Sequence, residues 1–245
     1  MSYLVYLSDV APYLRRDGSR EVAGVHQSLG SAALAVEELA GLNGLGFHHV
    51  QHTRDLDKDL LAGARVLCLF TIGETAWSAE QRLVIERRFG AGDLGFMGIH
   101  SATDSAYEWQ GFEGIIGARF DSHPVTGRLP ISVVDPGHPA VAHLRSPWWF
   151  EDELYLFRQL SRDAKILLAI DPQVLADEAR GLLRGALQAK PTTAGRERLP
   201  LSWCLEKGSS RSFYTSLGHF VGAYEDTRFL RHLDGALSWL LGAGG

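Results

Sequence analysis

The chain carries only two cysteines, Cys68 and Cys204, in 245 residues. Two thiols cannot build a disulfide framework or a cysteine-based zinc site. Both sit in apolar runs, Val66 to Phe70 and Trp203 to Leu205, where buried thiols are expected. Basic residues are not in excess either: 24 Lys plus Arg stand against 29 Asp plus Glu, a formal net charge of −5. The cationic surface that nucleic acid requires is therefore missing. No apolar stretch reaches the ~18 residues of a membrane-spanning helix. The first residues lack the basic leader of a signal peptide and are interrupted at Asp9. Repeats and low-complexity tracts are absent as well. The expectation is a reduced, cytoplasmic protein with no nucleic-acid and no membrane partner.

What is present suits a globular chain. Hydrophobic residues make up 45% and charged residues 22%, which excludes wholesale disorder, and the length suits one domain over residues 1–245. Short apolar runs at 4–7, 47–51, 64–70 and 95–100 read as strands. Between them, 28–42 and 78–89 have helical spacing, and Ser78-Ala79-Glu80-Gln81 is a capping box at the start of the second helix. The run at 64–70 is apolar throughout, as expected for a strand covered on both faces. This order predicts an α/β, flavodoxin-like three-layer sandwich with a mostly parallel central sheet. Further on, 129–134, 154–157 and 166–170 read as strands. Residues 201–205 and 212–216 read as a hairpin, 171–200 as a polar surface excursion, and 226–241 as a closing helix.

In an open parallel sheet, ligands meet the loops at the carboxyl ends of the strands. That rule selects His26 after the first strand, Thr71 after the third, His100-Ser101-Ala102-Thr103-Asp104 after the fourth, and Tyr214 to His219 at the end of the hairpin. Gly98-Ile99-His100-Ser101-Ala102 has the layout of a nucleophile elbow, which raises one side chain above the sheet. Here the raised residue is His100, where acyl transfer would need Ser or Cys.

Several segments occur in order: Gly98 to Asp104, Phe120-Asp121-Ser122-His123-Pro124, His138-Pro139, Asp152-Glu153-Leu154-Tyr155, Pro200-Leu201-Ser202-Trp203 and Phe213-Tyr214-Thr215-Ser216-Leu217-Gly218-His219. The series resembles the trehalose-utilisation (ThuA-like) family of the class I glutamine amidotransferase-like superfamily, over about residues 60–242. The resemblance implies an amidotransferase-like fold and a link to sugar metabolism, with 3-keto disaccharides among the substrates to consider. His26 is the candidate for the family's histidine near strand one, behind an insert at Pro12 to Glu21. With His100 in place of the thiol, glutaminase chemistry should be absent.

The remaining candidates surround that site. Glu153 and Tyr155 share a strand face by alternation, whereas Asp152 and Glu153, read as preceding the strand, should point one inward and one to solvent. His123 sits in a loop and can line the pocket, while His138 is a turn residue. Trp109 and the Trp148-Trp149-Phe150 run can stack on a sugar ring or pack in the core. His48, His49 and His52 read as surface residues. The expected chemistry is proton transfer by His100 and His219 with Glu153 orienting them. The alternative use of His100, Glu153 and His219 is to hold a divalent metal, zinc or iron. A non-catalytic binding or scaffold protein is the rival reading. The partners implied are a small carbohydrate derivative and, as an option, a second copy of the chain.

Overall fold

The computed structural model describes residues 2–14, 20–21, 24–189 and 197–242; part of the expected insert and residues 190–196 of the excursion lie outside these. The N-terminal apolar run forms β1 (Tyr3–Leu7), followed by a two-residue ribbon, β2 (Tyr13–Leu14) with β3 (Arg20–Glu21). The elements α1 (Leu29–Leu42), β4 (Gly46–Val50), α2 (Lys58–Gly63), β5 (Ala64–Leu69), α3 (Ala79–Ala91) and β6 (Gly95–Ile99) come next. After α4 (Phe112–Ile116) come β7 (Arg119–Val133), β8 (Trp148–Arg158), β9 (Lys165–Ile170), α5 (Asp177–Ala189), β10 (Leu199–Lys207), β11 (Ser210–Thr215) and α6 (Thr227–Leu240).

Among the described residues the main sheet has nine strands in the order β4-β1-β5-β6-β11-β10-β9-β7-β8. The first five are parallel to their neighbours, and the last four are antiparallel. Alternation along β1 and β5 explains the layers. Leu4, Tyr6, Val66 and Cys68 face one core with α1 and α6, while Val5, Leu7, Leu67 and Leu69 face the other with α3 and α4. β5 lies inside the sheet, between β1 and β6, as its doubly apolar sequence predicts. The Ser78–Gln81 capping box forms in both directions, and both cysteines are buried.

The second half departs from the sequence reading in two places. β7 and β8 are longer than the runs expected at 129–134 and 154–157. His123 therefore lies within a strand and not in a loop. Register shifts between Phe120 and Ser122 and between Ser122 and Val125 break β7 just before it and across it, a common device for re-aiming side chains beside a site. Asp152 and Glu153 likewise lie inside β8, and both are buried. The expectation that one would face solvent is corrected by the length of the strand. Among the described residues no helix is long and apolar enough to cross a membrane.

Candidate active site

β11 runs parallel to β6 and next to it, with Thr215 opposite Ile99. Their carboxyl ends therefore deliver His100 and the Ser216-to-His219 segment to one rim. His100 occupies the raised position of the elbow with φ 49°, the left-handed region that disfavours a side chain. Gly98 makes the turn feasible, since a Cβ there would meet Ile116 and Tyr214 side chains at 3.0 Å. The Tyr214 hydroxyl donates to the His100 carbonyl at 2.6 Å, pinning the turn from beneath.

The His100 ring is fully buried. Its Nδ1 lies 2.7 Å from the Ser216 carbonyl, which only accepts, so the proton of the neutral ring sits on Nδ1. That leaves Nε2 as an acceptor facing several groups at once. The Tyr155 hydroxyl is at 2.9 Å, His26 Nε2 at 3.2 Å, His219 Nδ1 at 3.2 Å and Glu153 Oε2 at 3.6 Å. Burial, and then the neighbouring His26, hold the His100 pKa well below the ordinary imidazole range. His26 is lowered to about 4, mainly by burial and then by His219 and His123.

Glu153 links the histidines. Its Oε2 is 3.4 Å from His219 Nδ1, and its Oε1 is 3.4 Å from His123 Nδ1. The preceding residue, Asp152, points to the other side of β8 and is wholly buried. It accepts from the Gly218 amide at 2.7 Å, the Glu153 amide at 2.8 Å and the His219 amide at 3.3 Å. Burial pushes its carboxyl up to about 7 against those donors. Asp152 thus fixes the backbone that carries His219.

These side chains border a cavity of about 280 Å³ whose polar wall includes Tyr13, His26, Asp104, His123, Glu153 and His219, with Phe120 on its apolar side. Asp104 accepts from the Tyr13 and Tyr107 hydroxyls, and burial raises its pKa. A larger cavity of about 600 Å³ lies near Asp9, His52 and Trp77. None of the histidine–glutamate cluster lines it.

Of the residues singled out from sequence, His26, His100, Glu153, Tyr155, His219, His123 and Asp104 converge. Four others do not reach the cavity. Thr71 is buried on Ser105 Oγ at 2.8 Å, and Ser101 is buried with its hydroxyl unpaired. Tyr214 supports His100 from within the core. Trp109 packs against Trp77 and donates to Glu86 at 2.6 Å, so the core role is the one its position fits. Trp148 is likewise buried, Trp149 lies under Arg128, and His138 packs on Trp239. Sequence reasoning missed Tyr13, Tyr107 and the anchoring by Asp152; no local motif marks them.

Among the described residues, His26, His100 and His219 each offer a ligand nitrogen within 4.8 Å of the other two. Glu153 Oε2 lies 3.6 Å from His100 Nε2 and 3.4 Å from His219 Nδ1, which are themselves 3.2 Å apart, so the three residues grouped from sequence also stand close together.

The pattern of the family described as ThuA, trehalose utilisation, matches residues 19–240. Two ThuA-like structures share the fold. The one from Bacteroides uniformis has TM-score 0.70 and 15% identity, covering 97% of this chain and 91% of that one. The one from Parabacteroides merdae has TM-score 0.67 and 16% identity, covering 99% and 91%. PurLQS from Thermotoga maritima is also similar, with TM-score 0.51, 12% identity and coverage of 98% and 100%. No curated protein matches in sequence.

Proposed function

Because the chain belongs to the ThuA trehalose-utilisation family, we propose that its histidine-lined cavity transfers a proton on a keto derivative of a sugar, such as a 3-keto disaccharide. Family membership ties the chain to sugar utilisation; the chemistry is argued from the site. The observation that carries the reading is Glu153, a nearly buried carboxyl group with imidazoles at 3.4–3.6 Å on both oxygens. A ketone acidifies the C–H bonds beside it. Glu153 takes one such proton, and the electron pair of that bond moves to the ketone oxygen. The imidazole cluster faces the oxygen on which charge builds. Returning the proton to the neighbouring carbon gives an isomer, and losing an oxygen substituent β to the ketone gives elimination.

This divides the work differently from the sequence expectation. The burial of His100 suits it to holding the other groups, while Glu153 and His219 border the cavity. Asp104, with its two tyrosines, offers hydrogen-bonding partners to sugar hydroxyls, and Phe120 offers a flat apolar surface to the ring. Glutaminase chemistry has no nucleophile here: both thiols are buried, and burial raises the pKa of each.

The test compares a 3-keto disaccharide with the unoxidised disaccharide, following loss of the ketone by NMR. The expected result is turnover of the keto sugar alone, reduced about a hundredfold or more in Glu153→Gln, with the melting temperature little changed. A Glu153→Gln protein that retains full turnover would refute the assignment. Binding of the keto sugar without turnover by the wild type would favour the scaffold reading.

A further inference from the structure

The histidine cluster has more ligand atoms than hydrogen bonds can satisfy. With the Nδ1 proton committed to Ser216, His100 Nε2 has a single lone pair. The Tyr155 hydroxyl already points at it from 2.9 Å. His26 Nε2 and His219 Nδ1 close on the same atom, each at 3.2 Å. One lone pair accepts one good hydrogen bond; His219 Nδ1 also has Glu153 Oε2 at 3.4 Å, but the approach of His26 Nε2 to an acceptor already taken is unexplained by hydrogen bonding. The other nitrogen of His26, Nδ1, is buried without a partner.

A cation in the middle of the three rings accounts for the convergence. Zinc–nitrogen bonds of about 2.0–2.1 Å in tetrahedral array put neighbouring ligand nitrogens about 3.3 Å apart, close to both 3.2 Å separations. The Ser216 carbonyl on His100 Nδ1 is the outer partner that metal-bound imidazoles ordinarily have, and it leaves Nε2 unprotonated, able to ligate once the Tyr155 hydroxyl turns away. The Phe70 ring packs on both His26 and His100, giving the cluster an apolar back wall.

We propose that His26, His100 and His219 form a binding site for one divalent transition-metal ion of the zinc class. Three imidazoles favour zinc, cobalt or nickel over magnesium or calcium, which prefer oxygen. Glu153 stands beside the ion's position, its Oε2 3.6 Å from His100 Nε2 and 3.4 Å from His219 Nδ1. It is left to act as the base, with the metal as the electrophile facing the ketone oxygen. That last role rests on the proton-transfer reading above; the binding site itself does not.

The experiment uses the full chain without an affinity tag, stripped with chelator and titrated with zinc, cobalt or magnesium ions. Equilibrium dialysis gives stoichiometry, visible absorption of the cobalt form gives coordination, and thermal melting gives stabilisation. Expected are one equivalent of zinc or cobalt, a higher melting temperature with zinc and none with magnesium. His26→Ala and His219→Ala should each weaken binding at least about a hundredfold while melting close to the chelator-treated wild type. His49→Ala, in the surface group His48, His49 and His52, should bind as the wild type does. No stoichiometric binding, binding retained in both cluster variants, or binding lost only in His49→Ala would each overturn the site. Turnover by the metal-free protein that is lost on Glu153→Gln would overturn the metal's role as electrophile but keep the proton-transfer reading. One bound ion with no action on keto sugars would do the reverse.

Discussion

At Asp152, burial and hydrogen bonding work in opposite directions. Burial outweighs the three backbone amides it accepts from, which lower the pKa, and the carboxyl is left raised to about 7. A carboxyl raised above its ordinary value contributes stability that is complete below about pH 4 and is lost as the pH rises through about 7. The melting temperature of Asp152→Asn, relative to the wild type, should therefore climb between about pH 4 and pH 7 and level off above that. A constant difference would show that Asp152 does not titrate in that window. His100, Glu153, His219 and Tyr155 were legible as residues because elbow, strand alternation and strand-end rules each select a position. Asp152 was not, since a carboxyl that serves the backbone of a segment 66 residues further on leaves no local pattern. Trp109 shows the converse: an aromatic beside a site motif is read as a sugar platform, but its neighbours Trp77 and Phe112 make it core.

The segment after β11 is the element on which the site depends most. Gly218 has φ 117°, and a Cβ there would lie 2.6 Å from the Tyr224 hydroxyl. Gly218→Ala adds both left-handed strain and a clash, costing about 1–3 kcal/mol. Because His219 follows immediately, turnover should fall by more than the stability loss explains. Circular-dichroism melts and turnover on the same variant check this, and normal activity in a destabilised protein would count against the segment's role. The hairpin of β10 and β11 was legible because its strands flank Lys207-Gly208-Ser209-Ser210. β7 was only partly so. The strand was expected only from 129, and the register shifts between Phe120 and Val125 that carry it past Pro124 leave no periodicity to read.

Across the whole molecule, the parallel half was legible because each strand alternates with a covering helix. The antiparallel half was less so: among its strands only α5 intervenes in the described chain, and the order β11-β10-β9-β7-β8 follows no period. Buried histidines set the acid behaviour of the fold. Burial lowers His26 and His138 to about 4 and His232 to about 3. Bases held neutral in the fold contribute stability that is present above about pH 6.5 and is lost as the pH falls toward those values. Asp152 acts in the opposite sense but is one group against several. The melting temperature should therefore drop between about pH 6.5 and pH 4.5, and a flat profile would contradict the burial of these rings.

The central claim is that Glu153 moves a proton at the carbon beside a sugar ketone. Its most direct test is solvent-hydrogen exchange in heavy water, following deuterium entry into a 3-keto disaccharide by mass spectrometry at early times. The wild type should speed exchange next to the ketone, and Glu153→Gln should slow it about a hundredfold or more. Equal exchange rates for the two proteins, or no acceleration by the wild type, would contradict the account.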